Sequence, residues 1–142
     1  MPGAGAADIY VFGTTGSVSG TSLDKITGFA TASDVIDFTA ITVLAAEANG
    51  VTATSDVDTS TGGLVTFHAD DDTFTEMVVA ILADSELDVA GSTAIFTVGG
   101  HTYVYNAGTA TGAADDQIVE LTGVTGAAFD TITDLGTTMT IG

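Results

Sequence analysis

Residues 92–108 read STAIFTVGGHTYVYNAG, and this stretch carries the clearest structural signal in the chain. β-Branched and aromatic side chains such as Ile95 and Tyr103 fill two runs, which is typical of β-strands. The pair Gly99-Gly100 separates the runs by two residues, and glycine suits the positive φ angles of a tight hairpin turn. The stretch therefore predicts an antiparallel hairpin.

A third β-type run, from Gln117 to Leu121, follows the hairpin after the acidic pair Asp115-Asp116. Strands that follow one another in sequence are usually neighbours in a sheet. We therefore predict a small antiparallel meander as the nucleus of the fold.

An amphipathic helix is predicted upstream of the hairpin, over 73–83. Thr73 and Glu76 have the spacing of a capping box, in which each side chain accepts a hydrogen bond from the other residue's backbone. Apolar residues then recur with the period of a helix and form one stripe; they are Phe74, Met77, Val78, Ile81 and Leu82. We expect this stripe to pack on the core rather than to bind a partner.

The remaining β-type runs are short and are separated by turn-forming residues. They cover residues 9–12, 23–29, 34–41, 64–68, 129–135 and 137–141. One or two helical turns are expected over 43–49, and a loop over 51–63 with a weak strand at 51–54. The predicted fold is mainly β, a β-sandwich or β-roll-like arrangement of short strands, with one amphipathic helix near 73–83. A single module over 1–142 is expected, with N-terminal strands in 1–42 and the helix and meander in 64–142.

The charge balance is the most informative feature of the composition. Nineteen acidic residues face one base, Lys25, for a formal net charge of −18 at pH 7. Nucleic acids and anionic membrane surfaces are bound by clustered Lys and Arg, so neither is an expected partner. Such an excess of charge repels itself in a compact state unless cations neutralise it, and Ca²⁺ prefers carboxylate and carbonyl oxygens. The alternative is a solvated acidic surface that serves solubility.

Aspartates in turn-like positions are the candidate calcium ligands. None of them has the spacing of an EF-hand loop, and the run before the helix also suits the positive end of the helix dipole. Those near strand starts also fit ordinary acids that protect a sheet edge. The candidates are Asp8, Asp24, Asp34, Asp37, Asp70, Asp71, Asp72, Asp115 and Asp116.

Catalysis finds little support in the sequence, and we expect no enzyme. The chain has no cysteine, which excludes a thiol nucleophile and disulfides. His68 and His101 lie in predicted strands and lack the HExxH spacing of a zinc protease, so structural or exposed histidines are expected. Gly99-Gly100 lacks the strand-to-helix context and the lysine of a phosphate-binding loop.

Targeting signals are sparse. No apolar run reaches the roughly 20 residues that a membrane span needs, so no membrane insertion is expected. No cleaved secretory signal is visible at the N-terminus. N-terminal signals alone therefore predict a cytoplasmic protein, unless export uses a C-terminal signal.

Two segments resemble proteins exported by bacterial type I secretion. GAGAADIYVFG, followed by LDKITGFATASDVIDFTAI, resembles the segment that follows the calcium-binding RTX repeats. GGHTYVYNAGTATGAADDQIVELTGVT is similar to the terminal module of RTX-type S-layer proteins and large surface proteins. The first resemblance matches Asp8, Tyr10, Phe12, Asp24, Ile26, Phe29, Asp34, Ile36, Asp37, Phe38, Thr39, Ala40 and Ile41. The chain departs from the family in having no full GGxGxDxxx array, so the calcium sites of that array do not carry over.

The resemblance implies a secreted, extracellular protein at the cell surface. We expect a structural protein that leaves through the type I secretion machinery and then self-assembles, with Ca²⁺, into an S-layer-like lattice or a filament. One alternative is a non-assembling C-terminal module that targets a cargo for secretion. Another is a carbohydrate-binding or adhesive β-domain with Tyr103 and Tyr105 as its stacking platform, although these tyrosines also suit cross-strand core pairs.

Overall fold

The structure is a computed structural model, and it describes residues 7–13, 18, 23–31, 33–43, 50–60, 62–109, 112–125, 132–134 and 138–141. It is mainly β with one helix in this part of the chain. The strands are β1 (Ile9–Val11), β2 (Asp24–Thr27), β3 (Val35–Asp37), β4 (Thr42–Val43), β5 (Val57–Thr59), β6 (Val65–Phe67), β7 (Ser92–Val98), β8 (His101–Asn106), β9 (Gln117–Thr122), β10 (Ile132–Asp134) and β11 (Thr138–Ile141). The helix, α1, is Phe74–Ala83.

The predicted meander forms the centre of the largest sheet, whose order is β2-β9-β8-β7-β4. β7 and β8 pair antiparallel from Thr93 with Asn106 to Val98 with His101, and Gly99 and Gly100 make the turn with φ angles of 60° and 81°. β9 continues the meander, and both outer strands, β2 and β4, pair parallel to their neighbours. The hairpin and third strand are therefore confirmed.

A second, four-stranded sheet has the order β1-β3-β11-β10. β1 runs parallel to β3, while β11 runs antiparallel to both β3 and β10. Alternation along these strands gives the sheet two unlike faces. Tyr10, Ile36 and Met139 share a row on the inner face, where Ile36 and Met139 are buried.

The helix covers the other face of the central sheet, together with the hairpin of β5 and β6. The capping box is present: the Thr73 hydroxyl accepts from the Glu76 N–H at 3.3 Å, and the Thr73 N–H donates to the Glu76 carboxylate at 3.1 Å. Val78 and Ile81 of the predicted stripe are buried. The Ile95 N–H donates to the Gly63 carbonyl at 2.8 Å, which attaches this hairpin to the edge of β7.

Two hydrophobic cores lie on opposite faces of the central sheet. The pairing register shows which side chains share a face of the sheet. Ile95, Val104 and Val119 lie side by side on one face, and the neighbouring row of residues lies on the other. The first core packs the central sheet against the second sheet; its members include Ile26, Phe38, Ile95, Val104, Leu121, Met139 and Ile141. The second packs it against α1 and β5–β6; its members include Val57, Val78, Ile81, Phe96, Tyr105 and Ile118. Of the two predicted arrangements, this layering is that of a sandwich.

Several local predictions differ from the structure. β5 lies in the predicted loop over 51–63, whereas the weak strand expected at 51–54 is not a strand. β4 ends at Val43, the first residue of the helical turns expected over 43–49, because Thr42 and Val43 pair with the start of β7; residues 44–49 lie outside the described part of the chain. Of the strand predicted over 129–135, residues 132–134 are described and form β10.

Candidate functional site

The edge of the second sheet is the most distinctive exposed feature. β1 is the outermost strand there, and its Ile9 and Val11 side chains are 64% and 71% exposed. Both lie on the outer face, where Ile9 stands beside Val35 and Val11 beside Asp37. Large apolar side chains on a sheet edge are a template for pairing with another strand.

The backbone of β1 also has hydrogen-bonding groups that no strand pairs within the described part of the chain. The Val35 N–H donates to the Asp8 carbonyl and the Phe12 N–H to the Asp37 carbonyl, each at 2.8 Å. Successive residues of a strand point their N–H and C=O groups to opposite sides. The groups of Ile9 and Val11 therefore point away from β3, towards the side of the sheet on which the described residues form no further strand.

The neighbouring edge of the central sheet is protected by charge. β2 exposes Asp24, Lys25 and Thr27. Next to it, the side-chain amide of Gln117, at the start of β9, donates to the Gly13 carbonyl. A cleft of about 470 Å³ separates β1 from β2; Tyr10, Val11, Phe12, Asp24, Lys25 and Ile26 line it. Charged residues, lysine above all, are a common device against strand addition, so the two edges differ in how open they are to a partner.

At this edge the buried Glu120 forms an ion pair with Lys25, the single lysine in a sequence without arginine. Glu120 is 5% exposed, and its carboxylate lies 2.6 Å from the Lys25 ammonium and 3.2 Å from His101 Nδ1. The hydrogen bond from Lys25 is the largest cause that lowers the pKa of Glu120; burial opposes it, and the charges of Lys25 and His101 add to it. The same hydrogen bond raises the pKa of Lys25.

Asp116, a predicted calcium ligand, lies in the core as a hydrogen-bond acceptor. It is 1% exposed and accepts from the Tyr105 hydroxyl at 2.9 Å and from the Gly108 N–H at 3.1 Å. Burial raises the pKa of Asp116, while these two hydrogen bonds act against the rise. Burial, followed by the charge of Asp116, raises the pKa of Tyr105. The neighbouring Asp115 accepts from the Thr109 N–H at 2.7 Å.

Asp34 is a second buried acceptor, also 1% exposed. Its carboxylate accepts from the Asp8 N–H at 3.1 Å and from the Ala30 N–H at 2.9 Å, so it ties the start of β1 to the turn before β3. The Tyr10 hydroxyl is buried nearby without a hydrogen-bond partner in the described part of the chain. Burial, then the charges of Asp34 and Asp8, raise the pKa of Tyr10.

The three aspartates before α1, Asp70 to Asp72, differ in burial and in their contacts. Asp71 is buried and accepts from the Ser55 N–H at 2.8 Å, which holds Ser55 at a φ of 62°. Asp70 and Asp72 are exposed, and Asp70 lies 3.6 Å from His68 Nδ1.

The predicted ligands are thus spread over the fold. Asp8 and Asp34 meet at one turn, but Asp24 belongs to another sheet and Asp37 lies on the outer face of β3, so these four do not share one turn. Within the described ranges, no three His, Asp or Glu side chains are grouped in a way that could hold a metal ion. Calcium binding stays a prediction.

The prediction that Tyr103 and Tyr105 form an exposed platform on which a carbohydrate could stack is wrong. Tyr103 and Tyr105 are both buried. Tyr103 lies between Phe74 of α1, at a ring-centroid distance of 4.8 Å, and Phe96 of β7, at 5.2 Å. The two tyrosines are core residues, because they alternate onto the face of the sheet that the helix covers.

Sequence reasoning missed two features of this region. The open edge at β1 had a signal, the alternation of Ile9 and Val11 with Tyr10 and Phe12, but nothing local says which side of the strand stays unpaired. Nothing near Glu120 in the sequence indicates that it is buried, because its partner Lys25 lies on a strand that is distant in sequence.

No protein-family model matches the chain, and no curated protein is significantly similar to it. The described residues include no helix that is long and apolar enough to cross a membrane.

Proposed function

We propose that this chain is an extracellular structural module that self-associates by adding strands at the edges of its sheets. The observation that carries the proposal is the open edge at β1, where Ile9 and Val11 are more than half exposed. A monomeric protein gains nothing from such an edge, and natural proteins usually protect one with charge, proline or a covering segment. Strand addition is a general mode of protein recognition that uses main-chain hydrogen bonds for affinity.

Calcium has a physical role in this proposal even without a closed coordination site. Copies that each carry −18 repel one another, and an assembly raises the local density of that charge. Divalent cations near exposed carboxylates, such as Asp70 and Asp72 before α1, reduce the repulsion. External calcium would then favour assembly outside the cell, after export by the type I secretion machinery that the sequence resemblance implies.

The test is assembly of the purified full chain with calcium removed and restored. EDTA-treated protein is compared by light scattering, sedimentation velocity and negative-stain microscopy in millimolar Ca²⁺ and in NaCl of equal ionic strength. We expect reversible ordered polymers in Ca²⁺. A monomer in every condition would overturn the proposal and leave a non-assembling secretion-targeting module.

A matched pair of variants separates a calcium site from charge screening. Asp115→Asn with Asp116→Asn alters the acidic turn before β9, and Asp70→Asn with Asp72→Asn removes the same number of charges from exposed positions before α1. Screening predicts similar changes in the calcium concentration needed for assembly. If the first pair alone abolishes the response while thermal unfolding shows it folded, the turn before β9 is a specific site and screening is the wrong account.

A further inference from the structure

We infer that β1 pairs antiparallel with β1 of a second copy about a two-fold axis at Tyr10, so that Ile9 of one copy lies opposite Val11 of the other. The inference rests on the proposed function and gives it a surface and a register. The two second sheets would become one continuous sheet, with β1 and its copy at the centre.

The backbone of β1 selects this register. The outward N–H and C=O groups belong to Ile9 and Val11, as the bonds from Val35 and Phe12 to the neighbouring strand require. In an antiparallel ladder, a hydrogen-bonded pair exchanges both of its bonds, and such pairs alternate with non-bonded ones. Both outward residues of each copy find partners when Ile9 meets Val11, with the two Tyr10 residues forming the non-bonded pair between them.

The side chains are complementary in the same register. Ile9 and Val11 point to the outer face, so each β-branched side chain would lie beside another across the interface. Val35, next to Ile9 in its own sheet, extends each apolar row on one side, and Asp37, next to Val11, ends it on the other. Pairing would therefore cover apolar area that is exposed in the single chain.

Charge favours a second copy at this edge rather than elsewhere on the surface. The strand carries no charged residue, in a chain with nineteen acids and one base. The nearest outer-face acid, Asp37, is one strand inward, so two Asp37 carboxylates would stand three strand spacings apart, roughly 14 Å. That exceeds the screening length of about 8 Å at physiological ionic strength. The competing edge at β2 carries Asp24 and Lys25, and Lys25 is held by Glu120.

The contact is small, so we expect weak association between the two copies. A three-residue strand buries less than the roughly 1,200 Å² of a standard interface. A two-fold contact joins only two copies, so the polymer of the proposed function needs a second contact, at another sheet edge, that links these pairs.

Cysteine pairing tests the register, and the cysteine-free chain makes introduced thiols unique. Ile9→Cys and Val11→Cys chains are mixed at high concentration in Ca²⁺ under mild oxidation, and intact masses identify the dimers. The two positions, directly opposite in the inferred register, have the roughly 5.5 Å Cα separation that suits a disulfide, whereas like positions are diagonal and farther apart. We expect the mixed dimer to exceed both like dimers several-fold beyond random pairing.

A second set of variants addresses the edge without cysteines. Val11→Thr removes an apolar methyl and Val11→Pro removes an outward N–H, and both leave the bonds between β1 and β3 intact. Both should reduce assembly at least several-fold. Val89→Thr, at a valine 54% exposed elsewhere, is the matched control and should assemble as the unaltered chain does.

The outcomes separate this inference from the proposed function. Polymers of the unaltered chain without selective mixed cross-linking would overturn the register but keep self-assembly. Selective cross-linking in a chain that stops at dimers would support the register and overturn the polymer. Equal yields of like and mixed dimers would mean random collision and would overturn the inference.

Discussion

Asp116 and Asp34 are both 1% exposed, and each lies close to a tyrosine, yet the two corners of the molecule are built differently. At the first corner the Tyr105 hydroxyl donates to Asp116 at 2.9 Å, inside the core between the central sheet and α1. At the second, Asp34 accepts backbone N–H groups, and the Tyr10 hydroxyl is buried without a partner in the described chain. A buried aspartate can therefore accept a hydrogen bond within the core or connect a turn to a strand through backbone N–H groups, and neither role requires a metal.

The difference has energetic consequences, because an unpaired buried polar group costs more than a hydrogen bond gains. The Asp116 corner satisfies its tyrosine, so removing either partner takes a buried hydrogen bond from the other. Tyr105 then keeps the Leu87 carbonyl at 3.3 Å, and Asp116 keeps the Gly108 N–H at 3.1 Å. At the Asp34 corner the Tyr10 hydroxyl has no partner among the described residues, so removing that hydroxyl removes a cost. The predictions below test this contrast.

The largest effect is expected for Asp116→Ala. The substitution removes the acceptor of the Gly108 N–H and leaves the Tyr105 hydroxyl with the longer bond to the Leu87 carbonyl, at 3.3 Å, so we expect a loss of about 2–3 kcal/mol in the free energy of unfolding. Asp34→Ala should cost less, about 1–2 kcal/mol, because its donors lie where water reaches them more easily. Urea unfolding followed by circular dichroism measures both.

The asparagine variants are the controls for this pair. Asp116→Asn and Asp34→Asn keep the shape and one acceptor oxygen, so each should recover part of the alanine loss. An equal or larger loss for Asp34→Ala would reverse the ranking of the two corners.

The next effect compares the two tyrosines directly. Tyr105→Phe should lower the free energy of unfolding by about 1–2 kcal/mol, since Asp116 then loses a buried donor. Tyr10→Phe should leave stability unchanged or raise it by up to about 1 kcal/mol, because the buried hydroxyl that it removes finds no partner in the described ranges. Both changes remove one buried hydroxyl oxygen, which makes them matched. Destabilisation by Tyr10→Phe would mean that its hydroxyl does have a partner.

Sequence patterns predicted the parts of this fold that local periodicity controls. The alternation in 92–106 and 117–122 placed the meander, and Thr73 with Glu76 placed the start of α1. β5 was missed because its Asp58 and Thr59 resemble the polar loop around them, and the strand exists through its pairing with β6. Pairing of that kind is non-local and leaves no local period.

The roles of the aspartates were harder to predict than their positions. Asp34 accepts from Asp8, 26 residues away, and Asp116 accepts from Tyr105 on the adjacent strand. From the sequence, both resembled exposed turn acids. The groups that meet each carboxylate are set by tertiary packing, so the sequence could nominate candidate ligands but could not tell them from structural acceptors.

The smallest effect concerns pH and adds a third buried carboxyl to the comparison. Glu120 has its pKa lowered from an ordinary value of 4.5, chiefly by the hydrogen bond from Lys25, whereas burial raises the pKa of Asp116 above 3.8. A lowered carboxyl pKa adds stability that is present above 4.5 and is lost as pH falls through the folded-state value. A raised one has the opposite sign: the folded state binds the proton more tightly, so stability falls as pH rises from 3.8 through the raised value.

Lys25→Met should therefore reduce stability at neutral pH and flatten the loss of stability below pH 4.5, because Glu120 then protonates at a higher pH in the folded state. Asp116→Asn should flatten the loss of stability that occurs as pH rises from 3.8, because it removes the carboxyl that the folded state protonates more readily. Thermal unfolding from pH 3 to pH 7 measures both profiles, and Lys25→Arg, which retains the charge, is the control. Parallel profiles for the Met and Arg variants would mean that the charge at position 25 does not set the pKa of Glu120, and the comparison of buried carboxyls would then rest on Asp116 and Asp34 alone.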